Sequence, residues 1–391
     1  MSSVADLPER LLLGSGPSPV PERVLRALAH PTIGHLDPAF GALMDEVAAG
    51  LRAVFQTENR VAIPVSGTGS AGMEAMVANL VRPGDRVVCG VHGLFGERMA
   101  DELARHGAEV VRVEAEWGRA LDREELVDAV AAGDTAALFV VHAETSTGVA
   151  QPLDGLADAC REAGALFLLD CVTSLAGHPL ALDESGVDAA FSGTQKCLNA
   201  PPGLAPFTAN ARALERVEDG CVPSWYFDLS LVMAYWQDAD DPSAKPARAY
   251  HHTAPINLIY ALAEALEIVL EEGLEARWTR HATAHETLRR ALAALGFERL
   301  APEGEQLHPL LAVRVPEGIA EAEIRMSLLT EDGIEISGGL GPLAGKAWRI
   351  GVMGEGARPE AQHRLVLALA KQLGRNSGEA VAALEDGWGA A

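Results

Sequence analysis

The sequence predicts an α/β fold: a mostly parallel sheet with helices on both faces, followed by a smaller α+β domain. Three observations carry that reading. Short β-branched or apolar runs alternate with amphipathic segments through the middle of the chain. The amphipathic segments close on glycine, the residue that most readily ends a helix in the left-handed conformation. Near Pro255 the pattern changes to long helical stretches and then to shorter mixed elements.

In order along the chain, "RVVCG", "EVVRV", "AALFVVH", "ALFLLDC" and "VDAAFSG" read as strands. The segments "FGERMADELARHG", "DREELVDAVAAG" and "LDGLADACREAG" read as the helices between them. Strand, helix and strand at this spacing make a parallel sheet, whose ligands bind at the carboxyl ends of the strands. Beyond Pro255, "INLIYALAEALEIVLEEGLEARWTRHATAHETLRRALAALG" is helical, and "LLAVRV", "GIEIS" and "AWRIGV" are short strands mixed with two helices. The N-terminal "LLLGSGPSPVPERVLRAL" has too many turn residues for a strand and is expected to wrap over the surface or reach a partner subunit. The expected division is an arm over residues 1–20, a large domain over 21–275 and a small C-terminal domain over 276–391.

With 391 residues, 48% of them hydrophobic, the chain can fill a substantial core. The formal charge, 31 minus 55 or −24, repels phosphate backbones and anionic lipid, so nucleic acid and membranes are poor partners. A small anionic substrate is still admissible, because a local cationic pocket overrules the global field. The cysteines Cys89, Cys160, Cys171, Cys197 and Cys221 show no paired spacing, which argues against a zinc site or a disulfide framework. The longest apolar runs have strand length and no signal peptide or peroxisomal ending is visible, so a reduced, cytoplasmic setting is expected.

Three polar features fall at or just past predicted strand ends. Thr68, Gly69 and Ser70 in "VSGTGSAGMEA" lead into a helix, where small residues, hydroxyls and free N–H groups make a phosphate cradle; the same residues are also ordinary N-caps. Asp170 ends "ALFLLD", so its carboxylate needs a cation or hydrogen-bond donors, or else caps the next turn. Lys196 in "SGTQKCLNAPPG" is a single amine among neutral residues; buried, its neutral form is the nucleophile that aldehyde chemistry requires. Phosphate, ring nitrogen and aldehyde are the polar extremities of pyridoxal 5′-phosphate.

With these residues in hand, the chain resembles the class V aminotransferases of fold type I, most closely the alanine–glyoxylate and serine–glyoxylate (serine–pyruvate) aminotransferases. The likeness covers nearly the whole length, through "LLLGSGPSPVP", "VSGTGSAGMEA", "HAETSTGVAQPLDG", "LLDCVTSLAG", "SGTQKCLNAPPG", "YHHTAP" and "GGLGPLAGKAWRIGVMG". The resemblance implies a large domain with a mostly parallel seven-stranded sheet, pyridoxal 5′-phosphate as cofactor, and a homodimer with shared active sites. Lys196 would form the internal aldimine and carry the substrate proton, and Asp170 would keep the ring nitrogen protonated. Phe95 would stack on the ring where many relatives have tryptophan, Val172 would contact the opposite face, and Thr145 would lie beside it. Thr68, Gly69, Ser70 and Gln195 match phosphate contacts, and Tyr250 and Thr253 match phosphate contacts that cross from the neighbouring subunit. Arg349 matches the arginine that grips the substrate α-carboxylate.

The implied reaction transfers an amino group from a small amino acid, alanine or serine, to glyoxylate or pyruvate. (S)-Ureidoglycine–glyoxylate and pyridoxamine–pyruvate aminotransferases are the alternatives; the former tend to carry Asn and Gln where this chain has Tyr250 and His35, amides suited to a ureido group. A cofactor-free scaffold homologue would have no physical reason to keep Lys196, Asp170 and Arg349. His251 and His252 project apart with no third ligand in view, so no metal site is expected.

Overall fold

The computed structural model describes residues 4–218, 222–236 and 248–389; Cys221 lies outside them. Seven strands form one sheet in the spatial order Val61–Ser66, Leu204–Ala209, Ala189–Phe191, Leu166–Asp170, Thr135–Val141, Arg86–Val91, Glu109–Glu114. Only Leu204–Ala209 runs antiparallel to its neighbours. The interior strands Thr135–Val141, Leu166–Asp170 and Ala189–Phe191 are apolar and almost wholly buried, as helices on both faces require. At the edge, Glu109–Glu114 exposes Glu109, Arg112 and Glu114, charges that discourage pairing with another chain.

Parallel strands end on one side of a sheet, and that topology collects the polar features. Ser66, Val91, Val141, Asp170 and Phe191 all close their strands there. Lys196 does not end a strand: the strand stops at Phe191, and the lysine sits within the 192–203 connection that reverses into the antiparallel Leu204–Ala209.

The smaller domain has its own buried core, which includes Leu288, Leu311, Trp348, Ile350 and Leu369. Its antiparallel sheet has the order Glu298–Arg299, Leu310–Arg314, Ala347–Gly351, Ser337–Gly338. Three helices follow Phe297 instead of the two expected: Glu321–Glu331, Pro359–Gln372 and Gly378–Gly389. Gly378–Gly389 packs on the long helix Leu274–Ala294, burying Ala380 and Leu384. The arm also departs from expectation, because Leu11–Leu12 pairs in parallel with Ile334–Glu335 as a short strand. Leu13 then enters the small-domain core and its carbonyl accepts from the Gly351 N–H at 2.8 Å. That bond and two more, from the Leu11 N–H to the Gly333 carbonyl at 2.9 Å and from the Leu13 N–H to the Glu335 carbonyl at 2.8 Å, fix the strand there despite the turn-rich sequence after it.

Two helices that meet at Gly273, Ile256–Glu272 and Leu274–Ala294, bring an ion cluster beneath the Lys196 connection. Glu272 accepts from Arg277 at 2.6 Å and from Arg280 at 2.5 and 2.9 Å. Arg277 in turn donates to the Cys197 carbonyl at 2.6 Å and to Asn199 Oδ1 at 3.0 Å. Burial would raise the Glu272 pKa, but the hydrogen bond from Arg280 and the charges of both arginines outweigh it and pull it down to about 2. A folded-state pKa below the unfolded value of about 4.3 gives stability that is complete above the unfolded value and lost as pH falls towards the folded one. Glu272→Gln should therefore cost about 3 kcal/mol at pH 7, because it leaves two arginines short of a counter-charge. It should also flatten the loss of stability between about pH 4.5 and 2. Chemical denaturation of both proteins across that window tests this; coincident curves would show that the cluster contributes nothing.

Candidate active site

At the carboxyl edge of the sheet a cavity of about 110 Å³ is lined by Thr68, Gly69, Ser70, Phe95, Thr145, Asp170, Val172, Gln195 and Lys196. Nine of the twelve residues singled out in the sequence thus surround one space. A larger, more open cleft of about 780 Å³ lies elsewhere, lined by residues such as Gln151, Asp154 and Trp278, and includes none of the twelve.

One end of the small cavity suits an anion. Helix Gly69–Leu80 points its N-terminus there, with Thr68 extended at the cap position (φ −78°, ψ 179°) and its side chain not engaged in capping. Arg98, which the sequence reading passed over, lines the same end: it donates to Ser70 Oγ at 3.2 Å and lies 5.0 Å from the Phe95 ring centre. The only hint was its place one turn after Phe95 in "GLFGER". Gln195 has a buried side-chain oxygen with no partner, so its amide is free to turn its N–H₂ onto a bound group.

The other end holds the two reactive side chains. Asp170 is 2% exposed, and burial pushes its pKa up to about 7, against the hydrogen bond of 2.8 Å it accepts from the Val172 N–H. It does cap its turn, as its alternative reading held, yet the carboxyl still lines the cavity. A carboxyl so desolvated is stabilised as the anion by a cation placed opposite it, and a protonated ring nitrogen is such a cation. Lys196 is 8% exposed; burial lowers its pKa to about 8, so a useful fraction is neutral near physiological pH. Its Nζ donates to the Ser15 carbonyl of the arm. An anion-suited helix N-terminus, the apolar Phe95 and Val172 side chains on the lining, a buried carboxyl and a poised amine together fit pyridoxal 5′-phosphate.

Arg349 sits in strand Ala347–Gly351 of the small domain; it lines a separate cleft with Ser337 and Gly338 and touches the small cavity's wall only through Thr145. Its Nε donates to the Gly338 carbonyl at 2.8 Å and one terminal nitrogen to the Thr145 carbonyl at 3.3 Å. Both partners are backbone oxygens, so no carboxylate neutralises the guanidinium by direct contact; burial lowers its pKa, but an arginine remains charged.

Tyr250 and Thr253 do not line this chain's cavity. Tyr250 is 59% exposed, with its hydroxyl 3.4 Å from that of Thr253. Between them, His251 and His252 do not project apart as expected: adjacent rings turned perpendicular to each other meet edge to face and form a chain of hydrogen bonds. His251 Nε2 faces the Trp225 carbonyl at 3.2 Å, its Nδ1 faces His252 Nδ1 at 2.7 Å, and His252 Nε2 faces Ser66 Oγ at 2.6 Å. The carbonyl can only accept, and this sets every proton: His251 donates from Nε2, His252 donates from Nδ1, and Ser66 donates its hydroxyl to His252. The segment is thereby pinned to the strand that leads into the Thr68–Ser70 cradle.

Fold and site define a pyridoxal-phosphate enzyme, and comparison with known proteins gives the class. Residues 11–345 match the family Aminotransferase class-V. The (S)-ureidoglycine–glyoxylate transaminase of Bacillus subtilis is 38% identical over 373 residues, covering 90% of this chain and 88% of that protein. The alanine–glyoxylate aminotransferase of Oryctolagus cuniculus is 38% identical over 369 residues, covering 94% and 93%. The crystal structure of an alanine–glyoxylate aminotransferase from Nostoc sp. is 46% identical with a TM-score of 0.91, covering 95% of this chain and 97% of that one. The chain belongs to the class V aminotransferases. Its cofactor is pyridoxal 5′-phosphate and its reaction is transamination.

The arm supplies an unforeseen wall. Gly16 has φ +112°, and a Cβ there would lie 2.7 Å from Lys196 Nζ and 2.9 Å from its Cε. Gly16→Ala should leave the fold standing, since the backbone penalty is about 1–2 kcal/mol, yet push the amine aside. We expect at least about a tenfold loss of turnover, more than the stability change explains. Turnover and melting temperature measured together check this; unchanged turnover would show that the arm does not constrain Lys196.

Proposed function

We propose that this protein transfers the amino group of alanine or serine to glyoxylate or pyruvate, at a site completed by a second copy of the chain. The observation that carries the proposal is the convergence of a buried carboxyl and a buried amine on one small cavity beside an unneutralised arginine. Thr68, Gly69, Ser70 and Gln195 bind the phosphate, Phe95 and Val172 hold the ring between them, and Thr145 borders it. Asp170 keeps a proton on the ring nitrogen. When bound, the cofactor supplies an electron sink that labilises the substrate Cα–H bond. Lys196 would anchor the cofactor and, as a free amine, move the proton at the substrate Cα; a pKa lowered to about 8 by burial suits an amine that must act as a base. Arg349 binds the α-carboxylate of every substrate through its planar fork.

The choice of small substrates rests on the 46% identical Nostoc enzyme, described as an alanine–glyoxylate aminotransferase, and on His35 and Tyr250. Their rings pack 5.2 Å apart, and neither offers a side-chain amide for a ureido group. The likeness to the Bacillus subtilis enzyme supports ureidoglycine as the second reading. A panel of alanine, serine, ureidoglycine and pyridoxamine as donors, each with glyoxylate and pyruvate, decides between them. Preference for ureidoglycine or pyridoxamine would overturn the first reading. The four cysteines within the described residues are all buried free thiols, which supports a reducing, cytoplasmic setting.

The second copy is inferred from Tyr250 and Thr253, which do not line their own cavity and sit on a segment pinned by the histidine chain, with Tyr250 exposed. Lys196→Ala protomers lack the anchoring amine; Tyr250→Ala Thr253→Ala protomers lack the hydroxyls given to the neighbour. Each homomer should be impaired, and mixing them should restore activity, since one site in each heterodimer receives all its groups. No recovery after verified subunit exchange would mean that the two hydroxyls serve their own chain. Arg349→Lys should weaken alanine, serine, glyoxylate and pyruvate alike, about tenfold or more in KM, because a point charge replaces the fork. Selective loss for one substrate would remove Arg349 from the carboxylate site.

A further inference from the structure

Glu144 is completely buried, does not line the cavity, and has no role in the reaction as described so far. It closes the short strand Ala143–Glu144, and its carboxylate reaches under the start of helix Leu94–Arg105. Oε1 accepts from the Ser146 N–H at 3.0 Å and from the Ser146 hydroxyl at 2.6 Å. Oε2 accepts from the Phe95 N–H at 3.0 Å, and the Gly96 N–H also donates to the carboxylate. Ser146 Oγ accepts in turn from the Leu94 N–H at 3.0 Å. The first three N–H groups of the helix are thus satisfied by Glu144 and its neighbour.

Burial pushes the Glu144 pKa up, while the Ser146 hydroxyl and the backbone N–H groups oppose it. The donors decide the state. Three of the four groups around the carboxyl are backbone N–H donors and the fourth, the Ser146 hydroxyl, already accepts from the Leu94 N–H, so the surroundings and the positive end of the helix favour the anion. The fit is close: a Cβ at Gly93 would fall 2.4 Å from Glu144 Cγ and Cδ and from Ser146 Oγ, so only glycine is accommodated. The charge is felt across the site: it adds to the rise that burial gives Asp170 and works against the lowering that burial gives Lys196 and Arg349. The next residue, Thr145, offers its carbonyl to Arg349.

We propose that Glu144 is a positioning residue that aims the Phe95 ring at the cofactor by locking the first turn of its helix. The inference rests on the reading that Phe95 faces the cofactor ring. Glutamine at 144 keeps the shape but turns an N–H₂ towards N–H or O–H donors on one side of the old carboxylate, so the lock opens without leaving a cavity.

The test uses the full chain, stripped of cofactor and titrated with pyridoxal 5′-phosphate, for wild type, Glu144→Gln, Phe95→Ala and the double variant. Dissociation constants come from the titration, and visible circular dichroism of the reloaded protein reports the asymmetry imposed on the bound chromophore. Glu144→Gln should weaken binding about tenfold, the effect of losing one charge-assisted hydrogen bond, and reduce the visible dichroism. In the Phe95→Ala background the same change should cost less than about threefold, because the two residues act through one contact. Losses that multiply independently, or wild-type affinity and dichroism in Glu144→Gln, would overturn the proposal. If Phe95→Ala itself binds the cofactor normally, the placement of Phe95 against the ring fails instead, and the two failures are told apart. Should Glu144→Gln not fold, Ser146→Ala removes only the hydroxyl that joins Glu144 to Leu94. It should lower affinity and dichroism in the same direction by a smaller factor, and wild-type values there would also overturn the proposal.

Discussion

A carboxyl group and an amine taken out of water each lose the solvation that keeps them charged, and the rest of this structure depends on holding both in that condition at once. Asp170 and Lys196 are displaced in opposite directions, up to about 7 and down to about 8, and burial is the leading cause for each. Direct pairing would restore ordinary pKa values and fill the cavity with a salt bridge. Instead Asp170 accepts from the Val172 N–H and Lys196 donates to the Ser15 carbonyl, so backbone groups hold the two facing a common space. Such pre-positioning is stable only on rigid elements. The five residues of Leu166–Asp170 are all buried; all pair with strand Thr135–Val141, and the last three pair on the other side with Ala189–Phe191.

The Lys196 connection has no regular structure of its own and is held by two separate parts of the chain. Ser18 in the arm donates to the Lys196 carbonyl at 2.6 Å, and Asn199 donates back to Ser18 at 2.9 Å. Arg277, from the helix that passes into the small domain, grips Cys197 and Asn199. A movement of the small domain would therefore be transmitted to the amine through Arg277 and through the arm, which is itself bonded to the small-domain strand at Gly351. Arg349 rides on that same strand. The groups proposed to bind substrate and to move its proton thus share their supports.

How much of this could be read from sequence follows from the range of the interactions. Strands such as Arg86–Val91 and Thr135–Val141 were legible because their β-branched runs and glycine-closed neighbouring helices are local signals. Val61–Ser66 and Leu204–Ala209 were not, because each contains a proline, which ordinarily demotes a strand. Pro64 and Pro206 stand opposite each other in register, where neither is asked for an N–H, so the ladder survives both. Within the site, Lys196, Asp170 and the Thr68–Ser70 turn were visible as residues out of keeping with their surroundings. Arg98, Glu144 and the Ser66–His252 contact were not, since each depends on a partner 28 to 186 positions away. The turn-rich arm misled for the same reason: its strand partner lies in the small domain.

The acidic surface sets the last constraint. A net charge of −24 repels small carboxylate substrates, but at physiological salt that repulsion is screened over about 8 Å, and it acts equally on every carboxylate in solution. Selection must then happen within the cavity, where water is scarce and each charge acts at full strength. There the balance is reversed: Arg98, Lys196 and Arg349 stand at separate points around the site, against Asp170 and the enclosed Glu144. Glu144 is satisfied by its own donors and cannot neutralise an arriving anion's partner, and its charge only partly offsets the lowering that burial imposes on Lys196 and Arg349. A buried anion behind the wall is thus compatible with an anion-binding site in front of it, provided the wall fixes every one of its hydrogen bonds.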